Sequence, residues 1–337
     1  MIQKSALHVE QAGSITPHSR NLPLRVGTRG SPLARRQTAL FLEELRRICP
    51  VLGVAPESFA EEIITTTGDQ VQDRRLADIG GKGLFAKEIH EALLDYRIDL
   101  AVHSLKDLET VLPDGVVLAC TMKREDARDA LVLRGQRPLV SASSDIWSLL
   151  PSGAKVGTAS LRRQAQLLHA RPDLSISLLR GNVRTRIDRV RSGAVDGTLL
   201  AYAGLRRLGF AEEVSGVIDP DVMVPAAGQG IIGITVRAAD IALAGLLAAV
   251  ECSEAKAVST AERALLAALG GSCRTPIGGH ARVFPDGSLQ LTGLVARADG
   301  SFLLKRRVSG PKADADRLGK ELGNSLRRDS PSDIFAC

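Results

Sequence analysis

Aromatic residues are scarce in this chain of 337 residues: Phe, Tyr and Trp together make up 3% of it, with one Trp and two Tyr. Single-stranded or splayed nucleic acid is held largely by stacking bases on aromatic faces, so that mode of recognition is poorly supplied here. Long apolar runs are also missing. The longest, near Ile241 to Val250, stops well short of the eighteen or so residues a membrane-spanning helix needs, so no membrane partner is expected. The start of the chain mixes His8, Glu10, Pro17 and His18 with few apolar side chains and lacks the apolar centre of a secretory signal. Residues 1–23 read as a loose extension. Cysteine is sparse and odd in number: Cys49, Cys120, Cys252, Cys273 and Cys337 are scattered and never form Cys-x-x-Cys. That argues against a disulfide framework and against a zinc site, and it fits a reducing cytoplasm.

What the chain has is arginine, concentrated. Between Ser160 and Gly193 stand Arg162, Arg163, Arg171, Arg180, Arg184, Arg186, Arg189 and Arg191, eight in all, with no lysine and no aromatic residue. Against them are two acids, Asp173 and Asp188, so the surplus in this window equals the +6 net charge of the whole chain. Guanidinium groups are permanently charged and fork onto oxyanions through paired hydrogen bonds. A basic patch without a nucleic-acid reading module is more often a small-anion site or a solvated face, and no nucleic-acid partner is expected. Asn182 to Ser192 fits a helix with Val183, Ile187 and Val190 inward and Arg184, Asp188 and Arg191 in a surface row.

An internal echo organises the chain. Arg25-Val26-Gly27-Thr28 leading to Ser31-Pro32-Leu33-Ala34-Arg35-Arg36-Gln37 resembles Lys155-Val156-Gly157-Thr158 leading to Ser160-Leu161-Arg162-Arg163-Gln164. Each reads as a strand, a Gly-Thr turn, a serine N-cap and a helix start, which aims free N–H groups at an anion. Helical and strand-like segments then alternate in the βαβ manner: Leu84 to Tyr96 as helix, Asp99 to Ser104 and Val195 to Ala201 as strands. The expected fold is α/β, with two periplasmic-binding-protein-like domains facing a cleft and a smaller α+β C-terminal domain. The expected boundaries are 24–122 with 230–248, 128–224, and 253–330. In open α/β sheets ligands bind beyond the carboxyl ends of the strands, which puts both Gly-Thr turns on the cleft.

Three constellations could carry chemistry. His103-Ser104-Leu105-Lys106-Asp107 ends a strand with a cation beside a carboxylate, while His103 itself reads as a core histidine. Gly80-Gly81-Lys82-Gly83 precedes the helix at Leu84 as a flexible loop with a lysine, but it is not a Walker loop and implies no nucleotide. Gly270-Gly271-Ser272-Cys273-Arg274 follows a helix expected to open on a capping box at Ser259 and Glu262. This sets Cys273 on a glycine-flanked loop beside Arg274, a setting that favours a thiolate and makes it the candidate nucleophile or attachment point.

Seven motifs, in order, resemble the porphobilinogen deaminase family: Thr28-Arg29-Gly30-Ser31-Pro32-Leu33-Ala34, Gly80 to Phe85, Val102 to Asp107, Arg124 to Ala130, Ser160 to Gln164, Leu179 to Arg186, and Gly271 to Ile277. The resemblance implies a dipyrromethane cofactor joined by a thioether to Cys273, with no metal. Four porphobilinogens would add head to tail, each losing ammonia, before water releases the linear tetrapyrrole. Asp107 would be the catalytic carboxylate, stabilising the cationic electrophile left by deamination. Arg29, Lys82, Lys106, Arg162, Arg163, Arg180 and Arg186 would meet the acetate and propionate groups of cofactor and substrate, with Ser31, Ser104, Thr158 and Ser160 as polar support. Gln229 matches a hinge residue of a Gly-Gln-Gly segment, and the family resemblance implies a monomer. Asp78, where many members carry lysine, and Leu108-Glu109, where a hydrophobic-proline pair is common, depart from the pattern. The rival reading is a two-lobed binding protein for an organic anion, without catalysis.

Overall fold

The computed structural model describes residues 22–52, 58–70, 83–135, 146–270 and 275–335. Two five-stranded sheets share one connectivity. In the first, β1 (Leu24–Arg29), β2 (Phe59–Ile64) and β3 (Leu100–Ser104) are parallel, and β10 (Ile232–Arg237) inserts antiparallel between β3 and β4 (Val116–Thr121), giving the order β2-β1-β3-β10-β4. In the second, β6 (Lys155–Gly157), β7 (Ser175–Ser177) and β8 (Gly197–Ala201) are the parallel trio. Here β5 (Asp129–Leu133) is the inserted antiparallel strand beside β9 (Gly216–Val217), giving β7-β6-β8-β5-β9. In each sheet the inserted strand arrives from the other lobe, so the chain crosses between the lobes at 122–128 and again at 218–231. The two strands of the Val-Gly-Thr echo, β1 and β6, occupy equivalent central places.

A third unit is an antiparallel meander of β11 (Ile277–Val283), β12 (Ser288–Ala296) and β13 (Leu303–Pro311). The helices are α1 (Pro32–Leu52), α2 (Thr67–Gln70), α3 (Lys87–Leu94), α4 (Leu161–Ala170), α5 (Val183–Arg191), α6 (Tyr202–Arg207), α7 (Ile241–Leu247), α8 (Ser253–Leu269) and α9 (Ala315–Arg328). Local chemistry explains where several begin. Ser31 Oγ accepts from Ala34 N (3.3 Å), Ser160 Oγ from Arg163 N (3.4 Å), Asn182 Oδ1 from Thr185 N (2.9 Å) and Asp240 Oδ1 from Leu243 N (3.0 Å), each satisfying a donor the helix cannot. No helix among the described residues is long and apolar enough to cross a membrane.

Each sheet has its own core. Leu24, Val26, Phe41, Leu45, Leu100, Ile232, Ile234 and Val236 pack the first, and Leu131, Val156, Leu167, Leu199 and Ile218 the second. The third unit buries Val258, Ala261, Leu265 and Leu269 of α8 against Leu318, Leu322 and Leu326 of α9 and Leu289, Leu291 and Val295 of β12. Cys120 is fully buried in the first core and its thiol is pushed up to about 12 by burial, which leaves it inert at neutral pH.

Three local expectations need correction. The segment from Leu84 to Tyr96 is helical only from Lys87, because residues 84–86 turn first and Ala86 N donates to Gly83 O (2.8 Å). The capping box also fails: α8 starts at Ser253, so Ser259 and Glu262 lie inside it. There Ser259 Oγ back-bonds to Lys256 O (3.0 Å), and Glu262 is committed to partners outside the helix. On α5 the inward stripe of Ile187 and Val190 is as expected, but the surface row is incomplete: Arg191 pairs with Asp188 at 3.6 Å, whereas Arg184 stacks on Phe210 at 5.3 Å.

Candidate active site in the cleft

The carboxyl ends of β1 and β3, the amino ends of β5 and β10, and the turn after β6 all face one region. At the end of β3, Ser104 Oγ donates to Gln37 Oε1 (2.9 Å), and the chain then tightens into a short helical turn, Leu105–Asp107. Asp107 emerges partly exposed, its Oδ2 3.9 Å from Arg29 Nη1. Arg29, at the end of β1, is held from below by Asp69 through Nε (3.1 Å) and Nη2, and its guanidinium lies 4.0 Å from the centroid of the Phe85 ring. Arg29, Ser31, Gln37, Phe85, Ser104 and Asp107 line a small cavity of about 50 Å³. His103 lines it too, yet is buried and shares a hydrogen bond with Thr235 Oγ1 (2.9 Å). Burial pushes its imidazole down to about 3, so it stays neutral, as expected of a core histidine.

Behind Asp107 lies a buried charge cluster. Lys106 Nζ donates to Gln229 Oε1 (3.4 Å), and Gln229 Nε2 donates to Ala127 O (2.7 Å) and Asp129 Oδ1 (2.9 Å). Asp129, fully buried, takes Arg163 Nη2 on Oδ1 at 2.7 Å and Arg162 Nη1 on Oδ2 at 2.8 Å. Those two guanidinium groups hold the carboxyl below the usual carboxylate range against the opposing effect of burial. Arg163 Nη1 also donates to Leu199 O (2.9 Å) and Arg162 Nη1 to Val224 O (2.7 Å). The Arg162-Arg163 pair is therefore buried and turned inward, toward Asp129.

The second lobe adds Arg180, whose Nη2 donates across the cleft to Gly68 O (3.2 Å), and Arg186, whose Nε donates to Gly181 O (2.8 Å). Burial, helped by Arg163 and Arg180, pulls Arg186 down to about 10, while Asp107 opposes that shift. Burial likewise pulls Lys106 down to about 8. Thr158 Oγ1 accepts from Ser160 N (3.1 Å) and stiffens the turn between β6 and α4. Lys82 and Cys273, with Asp78, lie outside the described residues. Arg171 is accounted for by Asp173 (2.7 Å) and by the carbonyls of Trp147 and Leu150.

Two contributors escape sequence reading. Asp129 opens the apolar strand Asp-Ala-Leu-Val-Leu, and its isolation there was the available signal. Arg207, at the end of α6, reaches Gly230 O with Nη2 (2.7 Å) and is pulled down to about 10 by burial, close to Glu125. A larger concavity of about 540 Å³ opens at the other end of β1, where Asp99 is shared by Arg25 and Arg237. Its charges are mutually paired, and it lies away from the convergent strand ends. No group of three or more potential metal ligands occurs among the described residues.

Buried cations in excess of carboxylates favour an anionic ligand. Among the described residues Lys106, Arg162, Arg163 and Arg186 gather around the carboxylates of Asp107 and Asp129, and burial opposes the charge of Lys106, Arg162 and Arg186. Incoming carboxylates would relieve that opposition.

Comparison with known proteins gives a consistent result. A family model described as "Porphobilinogen deaminase, dipyromethane cofactor binding domain" matches residues 24–244, and one for the "Porphobilinogen deaminase, C-terminal domain" matches 256–328. The chain is 46% identical to porphobilinogen deaminase of Paracoccus denitrificans over 93% of its own length and 96% of that protein's. It is 45% identical to that of Nitrobacter winogradskyi, over 92% and 94%. To the chloroplastic porphobilinogen deaminase of Oryza sativa it is 43% identical, over 93% and 85%. Among solved structures, a periplasmic arginine-transport binding protein from Legionella pneumophila aligns at TM-score 0.37 and 14% identity, over 67% of this chain and 91% of that one.

Proposed function

The chain belongs to the porphobilinogen deaminase family, and we propose that it is a transferase that condenses four porphobilinogens head to tail and releases hydroxymethylbilane by hydrolysis. Each condensation breaks the aminomethyl C–N bond of one porphobilinogen, forms a C–C bond to a pyrrole α-carbon, and expels ammonia together with the proton of that carbon. Dipyrromethane, when bound through a thioether to Cys273, supplies the first pyrrole α-carbon. The residues present suit it, since two pyrroles carry four carboxylates and, among the described residues, cations outnumber carboxylates in the cleft.

Arg29, Lys106, Arg180 and Arg186 bind acetate and propionate groups, and Lys82 joins them. Arg162 and Arg163 share the single charge of Asp129, so the pair keeps a net positive charge that attracts the same carboxylates. Ser31, Ser104, Thr158 and Ser160 hold the turns that carry these cations. Asp107 faces the cationic electrophile left when ammonia departs and accepts hydrogen bonds from pyrrole N–H, placing a fixed negative charge where positive charge develops. Porphobilinogen is the small-molecule partner, and the enzyme works as a cytoplasmic monomer without nucleic acid or membrane.

The observation that carries this reading is the meeting of Asp107 with cations of both lobes at the strand ends. Intact mass spectrometry tests it. The expected mass exceeds that of the sequence by two linked pyrrole units, the excess disappears in C273S, and the protein turns over porphobilinogen. Porphobilinogen binding with no ammonia release and no added mass would point instead to the two-lobed binding protein.

A further inference from the structure

The loop that carries Asp107 is fastened to the third unit as well as to its own sheet, where Leu105 N donates to Ile231 O (3.0 Å). Leu105 and Leu108, on either side of Lys106 and Asp107, are 2% and 6% exposed and are buried in the core shared with Val258, Ala261, Leu265 and Leu269 of α8. On that same helix Arg263 reaches the loop directly. Its Nη2 donates to Glu109 O (2.7 Å) and Thr110 O (3.0 Å), and its Nη1 to Leu108 O (3.5 Å). One guanidinium thus spans three successive carbonyls immediately after Asp107, which a rigid fork of donors can do and a single ammonium cannot match. The Glu109 side chain supplies charge facing the half-buried Arg263 and rests against Gly83. Gly83 has φ +76°, and a Cβ there would fall 1.7 Å from Glu109 Oε1. The residue before Arg263, Glu262, grips Arg124, Gly228 N and Ala281 N. From these two residues α8 runs on to Leu269 and ends at Gly270, three positions before Cys273.

We propose that Arg263 is a positioning residue for the reaction: it ties the Asp107 loop to the helix that leads to Cys273, so that the carboxylate keeps its place while the product chain lengthens. This rests on the function proposed above. It assigns Arg263 no contact with substrate. Its effect passes through the backbone of Leu108 to Thr110, and misplacing a reacting group by 1 Å costs on the order of a hundredfold in rate.

The test compares R263Q and R263K with the unsubstituted holoenzyme by intact mass, thermal unfolding and steady-state turnover of porphobilinogen. R263Q is expected to retain the added mass and a KM within about twofold while kcat falls about tenfold or more, with R263K between the two. A loss of thermal stability with kcat per loaded enzyme within about twofold overturns the proposal. Should R263Q fail to fold, R263K decides by the same separation of kcat from KM. Absence of turnover in the unsubstituted protein overturns the functional reading and this role with it, whereas normal turnover in the variants overturns this role alone.

Discussion

Gln229 stands between Lys106 and Asp129, accepting from the ammonium through Oε1 (3.4 Å) and donating to the carboxylate through Nε2 (2.9 Å). A neutral amide thereby joins the loop of the first lobe to the first residue of the second sheet. Replacement by leucine keeps the volume but leaves Ala127 O without its donor and Lys106 without its acceptor. Q229L is expected to lose about 1 to 3 kcal/mol of stability, measured by urea unfolding. A loss within error would show that water substitutes fully for the amide.

In the proposed reaction Asp107 is the group whose charge is used. D107N is isosteric and keeps a hydrogen-bonding oxygen but not the negative charge. Turnover of porphobilinogen is expected to fall at least a hundredfold on the scale of general acid–base and electrostatic contributions. Substrate binding, read by equilibrium dialysis, should change little, and wild-type turnover would remove Asp107 from the mechanism.

Lys106 gives a pH signature. Burial lowers its pKa from 10.5 to about 8, so between these values the unfolded chain binds more protons at this site than the folded one. The folded state therefore suffers from the buried charge below pH 8, and its stability rises with pH through that window. Function runs the other way: loss of the ammonium above pH 8 removes a carboxylate partner, so kcat/KM should decline there. A pH profile of K106M that keeps the same alkaline limb would exclude this origin.

Glu262, with its side chain fully buried, binds Arg124 Nη1 (2.6 Å) and the backbone N–H of Gly228 (2.6 Å) and Ala281 (2.6 Å). E262Q removes the charge that compensates Arg124 at the crossing between the lobes. The expected destabilisation is about 3 to 5 kcal/mol by denaturant unfolding. Adding R124M should recover part of it, because the stranded cation is then gone.

Much of this was legible in sequence because it is local. The Gly-Thr turns, the caps at Ser31 and Ser160, and the cation-carboxylate pair at Lys106-Asp107 are each encoded within a few neighbouring residues. What escaped depends on distant partners. Asp129 gains its meaning from Arg162 and Arg163, more than thirty positions later, and Arg207 from the carbonyl of Gly230. Ser259 and Glu262 have capping-box spacing, but Arg124 and two backbone N–H groups claim the carboxylate. The count of arginines likewise could not separate Arg171 and Arg191, spent on acidic neighbours, from Arg186, whose guanidinium turns toward the cleft charges.

The placement of β10 between β3 and β4 sets the order in which a ribosome can complete the molecule. The second sheet is built from one continuous span, 129–217, but the first stays open until residues 232–237 have been made. At roughly 5 to 20 residues per second, β4 waits about 6 to 20 s for its neighbour with its backbone donors and acceptors unpaired. The lobe that begins synthesis is thus the one that closes later, and shortened chains ending before β10 are the species expected to need chaperones.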